Sequence, residues 1–284
     1  MTQLRYTLWC VPLTLLGMNG FAHAQEPINA AESATQPSPG HVILKEQFRF
    51  HRLDLHGEQR DRNGDMNEAV LFSTLNIGLR SDWSMSLRFP AAFREREFDA
   101  TDQTDREEGI GDLTALAKWR FYQNDTGPLD TTRASLFGGA EIRSGDSPFT
   151  SDGYNPVLGL ACTKIAGRHG FNGSLQWTFT TGGNQEPILA GESTADLFRY
   201  DLAYLFRLSP KAYTAETHGA LYAVCELNGF YETNGDNELF VAPGLMYEAK
   251  TWTAELSVQL PTWQDVEHRA DVEFALVAGV RFSW

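Results

Sequence analysis

The sequence predicts an all-β fold: a transmembrane antiparallel up-and-down β-barrel of about 12 strands. Three observations predict it. From about Ile43 onward apolar residues recur at every second position, the period of a strand and not of a helix. Aromatic residues gather near the ends of the apolar faces, as at Trp83 and Phe89, Trp119 and Phe121, Trp252 and Trp284. Tight turns alternate with longer connections. A mean hydropathy of −0.33 fits this reading, because a barrel offers lipid only every second residue. The chain has 284 residues, 42% of them hydrophobic, enough for one large β domain.

Residues 1–24 read as a signal peptide. Arg5 supplies the positive start, Tyr6 to Met18 the apolar run, and Ala22-His23-Ala24 a cleavage site of small residues. The run is short for a membrane anchor. Cys10 lies early within it and not at the cleavage site, which argues against a lipid-modified cysteine. Residues 25–41 are rich in Ala, Ser, Pro, Gln and Glu without apolar period, and read as a flexible periplasmic lead. The barrel then occupies residues 42–284.

Five segments carry the strand pattern most clearly. Trp83, Met85, Leu87 and Phe89 alternate with Ser84, Ser86 and Arg88. Leu113, Ala115, Ala117, Trp119 and Phe121 oppose Asp112, Thr114, Lys118 and Arg120. The other three are centred on Leu175, Leu202 and Leu256. Successive side chains of a strand point to opposite faces, so each segment has one apolar and one polar face. Weaker segments lie near residues 43–54, 68–81, 133–145, 155–166, 217–231, 237–249 and 270–284, with the weakest alternation between Val157 and Ile165. Longer, outer loops fall near 55–67, 94–108, 145–154, 182–194, 231–236 and 261–269. A soluble sandwich would also alternate, but it would not need aromatic girdles. Val272, Phe274, Leu276, Ala278, Val280, Phe282 and Trp284 form one alternating face that ends on the last residue. That ending resembles the recognition signal of the outer-membrane barrel assembly machinery, with Phe282 and Trp284 as its residues.

Short motifs recur in order along the chain. They are Gly109-Ile110-Gly111-Asp112-Leu113-Thr114 with Lys118-Trp119-Arg120-Phe121, Asn155-Pro156-Val157-Leu158-Gly159, Trp177-Thr178-Phe179-Thr180-Thr181-Gly182, Glu226-Leu227-Asn228-Gly229, and Ala242-Pro243-Gly244-Leu245. Across residues 70–284 the chain resembles a family of outer-membrane transporters named for the meta-pathway of phenol degradation. The resemblance implies a barrel with a transport role and an association with aromatic compounds.

A net charge of −14 provides no basic footprint for nucleic acid. The expected function is an outer-membrane channel or porin for small molecules, working through its lumen residues. Arg88, Asp112, Lys118, Arg120, Glu141, Arg143, Arg199 and Asp201 are the expected pore lining. Of these, Asp112, Lys118 and Arg120 should form a charged constriction with Arg88 and Glu141. The alternative for the same residues is a structural network that fills a non-conducting barrel. A third reading, an outer-membrane hydrolase, would need a serine–histidine pair or paired acids; no G-x-S-x-G element is present. No catalytic residue, metal ligand or cofactor is therefore expected. Cys162 and Cys225 read as small residues on strands that are not neighbours. The acidic stretch 94–108 reads as a solvated outer loop, or else as one that meets lipopolysaccharide phosphates through divalent ions. Expected partners are outer-membrane lipid and lipopolysaccharide, the assembly machinery and a small solute.

Overall fold

The computed structural model describes residues 25–55, 64–98, 103–127, 129–183, 194–214 and 216–284. The signal peptide expected at 1–24 lies outside the described residues, as do most of the connections expected at 55–67 and 182–194. The strands are β1 (Val42–Leu55), β2 (Gly64–Gly78), β3 (Trp83–Phe98), β4 (Gln103–Ile110), β5 (Leu113–Asp125), β6 (Thr131–Ile142) and β7 (Tyr154–Ala166). They continue as β8 (His169–Thr178), β9 (Leu197–Ser209), β10 (Gly219–Glu232), β11 (Asn237–Ala249), β12 (Trp252–Asp265) and β13 (Asp271–Ser283).

Each strand pairs antiparallel with its neighbours, and β1 pairs with both β2 and β13, so the sheet closes on itself. Closure leaves no open edge in the twelve-position ring, as a strand-built wall in lipid requires; β4, beyond it, pairs with β3 on one side. The seam is sealed to the last residue: Val42 donates its N–H to the Trp284 carbonyl at 2.9 Å, and Trp284 donates to the Val42 carbonyl at 3.1 Å. Thirteen strands occupy twelve positions, because β4 and β5 share one. Ala91 to Phe98 of β3 pair with β4, whereas Trp83 to Arg88 pair with β5. The break falls at Gly111 and Asp112.

Alternation decides the facing. Leu158, Leu202 and Leu256 point outward with about three-fifths of their surface exposed, while Thr163, Asp201 and Ser257 beside them are buried inside. An outer wall of Leu, Phe, Tyr and Trp this extensive is built to meet hydrocarbon. Trp83 stacks on Trp119 at 6.3 Å near the end that carries the termini, with Phe121, Trp252 and Phe282 also exposed there. Trp177, Phe179 and Phe198 pack together at the far rim. Cys162 and Cys225 are free and exposed, facing the lipid side.

Two expectations are corrected here. The stretch 94–108 is largely strand: β3 and β4 form a hairpin that extends toward the far rim. Opposite charges face each other across it, with Arg106 Nε 2.5 Å from Glu95 and Arg96 3.5 Å from Glu107. Cross-strand ion pairs hold the hairpin where apolar alternation has ended. The last strand's apolar face is also interrupted. Arg52 pairs with Phe274 and Leu53 with Val272, leaving Glu273 bulged out. The bulge turns Val272 inward onto Leu53, Met66 and Phe240, and leaves Glu273 outside, 3.6 Å from Arg52.

Because Trp284 closes the seam with its own backbone, deleting it removes two ladder bonds and an interfacial ring together. Deleting Trp284, or changing Phe282 and Trp284 to Ala, is expected to lower the yield of heat-modifiable folded barrel several-fold; unchanged gel mobility and yield would count against this.

Candidate functional site: the occupied lumen

Residues 25–41 read from the sequence as a flexible periplasmic lead, but 25–38 do not lie outside the barrel. They run inside it. Gln25 sits against β8, where Gly170 leaves room: a Cβ there would lie 2.1 Å from Gln25 Oε1. The chain rises to Asn29 and Ala31, crosses to β5, β6 and β7, and returns so that Gln36 Nε2 donates to the Ser81 carbonyl at 3.0 Å. A hairpin-shaped plug results, with both ends at the terminal end of the barrel.

Hydrogen-bond accounting explains why it stays there. Buried backbone groups must be paired, and this segment has no secondary structure to pair them. The wall supplies the partners. Glu226, fully buried on β10, accepts the successive N–H groups of Ile28, Asn29 and Ala30 at 2.6, 2.9 and 3.0 Å. Consecutive amides of this kind form a concave anion site, here filled by the protein's own carboxylate. Asp201 on β9 accepts the Ala31 N–H at 2.9 Å. Thr163 Oγ1 on β7 accepts that of Ala34 at 3.1 Å. Lys45 Nζ and Gln47 Nε2 on β1 donate to the Ile28 carbonyl at 3.0 and 2.9 Å. Arg281 on β13 holds Glu26 at 2.8 Å and also pairs with Glu255. Ile28 is buried among Leu205, Tyr222, Met246 and Val277, and Ala34 among Leu116, Phe137 and Val157. Burying an isoleucine side chain alone contributes about 1.5–3 kcal/mol.

The structure distributes the eight expected lining residues over three levels, and the five expected to form one constriction, Asp112, Lys118, Arg120, Arg88 and Glu141, are spread over all three. Arg88, Lys118, Arg199 and Asp201 face the interior and engage the plug. Lys118 Nζ is 3.0 Å from both Glu32 and the Ser33 carbonyl. Arg199 Nη2 donates to the Asn29 carbonyl at 2.8 Å, and Arg88 to that of Ala31 at 3.4 Å. Glu141, also on the interior wall, accepts from Asn155 Nδ2 at 3.2 Å. Arg120 reaches the Ser81 carbonyl at the terminal-end turn. A register shift after Arg120 exposes both Phe121 and Tyr122 there. Arg143 and Asp152 pair at 2.7 Å in the connection between β6 and β7, both more than half exposed.

Asp112 ties that connection down. Its carboxylate accepts the backbone N–H groups of Ser144, Gly145 and Ser151 at 3.0, 2.9 and 2.8 Å, and the Thr150 and Ser151 hydroxyls at 2.9 and 2.6 Å. Burial disfavours its charge, but the bonds from Ser151, Ser144 and Gly145 outweigh that and hold its pKa below the usual carboxylate value. A depressed carboxylate contributes stability that is present above the unfolded-state pKa and is lost as pH falls through the folded one. Asp112→Ala is therefore expected to expose the 143–153 connection to protease at neutral pH. The wild-type connection should become protease-sensitive only in acid. Equal cleavage of both proteins at neutral pH would refute it.

The glutamate that holds the plug was on the inward face by alternation, but nothing marked it as a partner of the lead. The small side chains of Ala30, Ala31, Ser33, Ala34 and Thr35 were the available signal, since only a slender segment fits a narrow barrel. Histidines bearing on a hydrolytic reading are dispersed. His51 is buried on β1, His169 stacks with Tyr204 and Phe206, and His268 binds Asp236 at 3.0 Å. His56 lies outside the described residues. Beside the plug an open cavity of about 210 Å³ remains, lined by Arg49, Arg88, Arg199, Phe72, Phe230 and plug residues.

Neither a family model nor a curated protein matches the chain. Solved structures do. An outer-membrane channel from Pseudomonas putida F1 matches with a TM-score of 0.56 at 12% identity, over 91% of this chain and 100% of that one. The β domain of a Bordetella autotransporter matches with a TM-score of 0.53 at 12% identity, over 86% and 100%. At that identity the likeness concerns the fold: this chain is built as those outer-membrane barrels are, a closed antiparallel β-barrel.

Proposed function

We propose that the protein is an outer-membrane channel that passes small molecules through its lumen and is not an enzyme. The observation that carries this reading is the contrast between the two faces of one closed wall. The outside is a belt of aliphatic and aromatic side chains, and the inside is charged around an open cavity. An interior built only for stability would be better filled with packed apolar residues than with buried charges, each of which must be desolvated and paired. Export with removal of residues 1–24, and contact of the belt with outer-membrane lipid and lipopolysaccharide, belong to this reading. Phe282 and Trp284 would be what the assembly machinery recognises. The family resemblance supports aromatic or hydrophobic compounds among the solutes.

The test is conductance of the purified, folded chain in planar bilayers. Discrete current steps are expected; folded protein that inserts without conducting would sink the proposal. The plug favours a second reading, a filled non-conducting barrel, and the same measurement separates the two.

A further inference from the structure

We infer that Gln25, once it becomes the N-terminal residue, closes to pyroglutamate, and that this neutral ring is the form in which the end of the plug is buried. The inference rests on the removal of residues 1–24 under the proposed function and goes beyond it.

Gln25 is 1% exposed and lies against the inner face of β8. Asn172 Nδ2 donates to its carbonyl at 3.0 Å, and Gly170 clears space for its side chain. The side-chain amide itself is unmatched. Among the described residues neither Oε1 nor Nε2 has a hydrogen-bond partner, although both are shut off from water. A primary amide carries two donors and an acceptor, and leaving them unmade in a buried place is costly. Further along, the plug finds wall partners for Ile28, Asn29, Ala30, Ala31 and Ala34. The orphaned amide at its end stands apart from that pattern.

Removal of the leader adds a second difficulty at the same place. The new α-ammonium is a charge, and an unpaired buried charge is disfavoured more than an unpaired amide. The surroundings are already positive. Gly170 pairs with Leu205, and the next inward residue of β9 is Arg207, 3% exposed, with its Nε and Nη1 unpartnered. The adjoining carboxylate, Glu26, is engaged by Arg281 at 2.8 Å and by the Thr35 hydroxyl at 2.5 Å.

One reaction removes both difficulties. The α-amine nitrogen attacks Cδ of its own side chain, and the Cδ–Nε2 bond breaks. The amine gives up one proton to the departing nitrogen, which leaves as ammonia, and a five-membered lactam remains. Nothing is oxidised or reduced, and no co-reactant is consumed. The terminal charge is gone, and so is the unmatched NH₂ group. A flexible side chain has become a ring with little rotamer freedom left to lose on burial. The reaction takes place before the plug is seated, while the new terminus is still in water. A closed end also presents no free amine to aminopeptidases at the mouth of the barrel.

Intact mass spectrometry of the full processed chain, extracted from outer membranes, tests the inference. The expected mass is that of the chain from Gln25 less one ammonia, and amine-reactive labelling of the denatured protein should reach lysines only. A chain that starts at Gln25 with its full mass and a labelled N-terminus overturns the inference and leaves the processing standing. A chain that starts at any other residue overturns both. Gln25→Asn tests what the ring does, because it keeps an amide but is one methylene too short to form a five-membered lactam. Its strand ladder is untouched, so heat-modifiable folding is expected. Proteinase K is expected to remove its residues 25–38 several-fold faster than those of the wild type. Equal protection of the two folded proteins would overturn the role given to the ring. Whether the ring forms is decided by the wild-type mass, whatever the variant does.

Discussion

Deleting residues 25–38 should raise single-channel conductance several-fold. The plug crosses the lumen and is bonded to walls on opposite sides, at Glu226 on β10 and at Lys118 on β5, with Asp201 and Thr163 holding it between them. Its removal widens the path for ions without touching the strand ladder. Water then replaces it, so Glu226 and Asp201 become hydrated instead of stranded, and the barrel should still fold. A milder change makes the same point. Glu226→Ala leaves three plug N–H groups without their acceptor, and each unsatisfied buried group costs about 1–3 kcal/mol. That is enough to unseat the plug for part of the time, so larger and noisier current steps are expected. If the folded deletion protein conducts as the wild type does, the plug does not limit the bore.

Leu256→Arg and Leu87→Arg should each sharply reduce the amount of assembled barrel, whereas Ser86→Arg should not. Leu256 and Leu87 sit in the middle of the outward face, and a charge near the bilayer midplane costs about 2–4 kcal/mol. Ser86 faces the interior, which already accommodates arginines. Ser257 would be a poor control, because its hydroxyl bonds Asn29 at 3.0 Å and a large side chain there would also displace the plug. Heat-modifiability on gels measures the outcome, and equal assembly of all three variants would mean that the facing assignment is wrong.

Strand positions and facing were legible because lipid enforces period two. Where lipid stops, so does the signal. Residues 94–108 lie toward the far rim, and their strands are held by Arg–Glu pairs that read as a charged loop. The weak alternation between Val157 and Ile165 has the opposite cause. Val157, Ala161 and Ile165 point inward, Val157 and Ala161 against Ala34 and Phe137, so both faces of β7 are apolar. That interior core exists because the plug fills the lumen, and a segment of small polar and apolar residues carries no period that would announce its place. For the same reason the lining of the interior was only half legible. Alternation placed Arg88, Lys118, Arg199 and Asp201 inside. It could not indicate that Asp112 is spent on a connection or that Arg120 sits at the end of the bore.

The route of the plug also bears on topology. A segment bonded to several walls of a closed ring would ordinarily raise the problem of threading: some terminus would have to pass through the ring. Here none does. Gln25 lies beside Gly170 and Ser38 beside Gly78, both near the end where β1 and β13 meet. The segment enters and leaves by one opening, so the path of the described residues contains no link and no knot. The β1–β13 ladder can close before or after the segment is seated, and the segment can leave again without opening the seam between Val42 and Trp284.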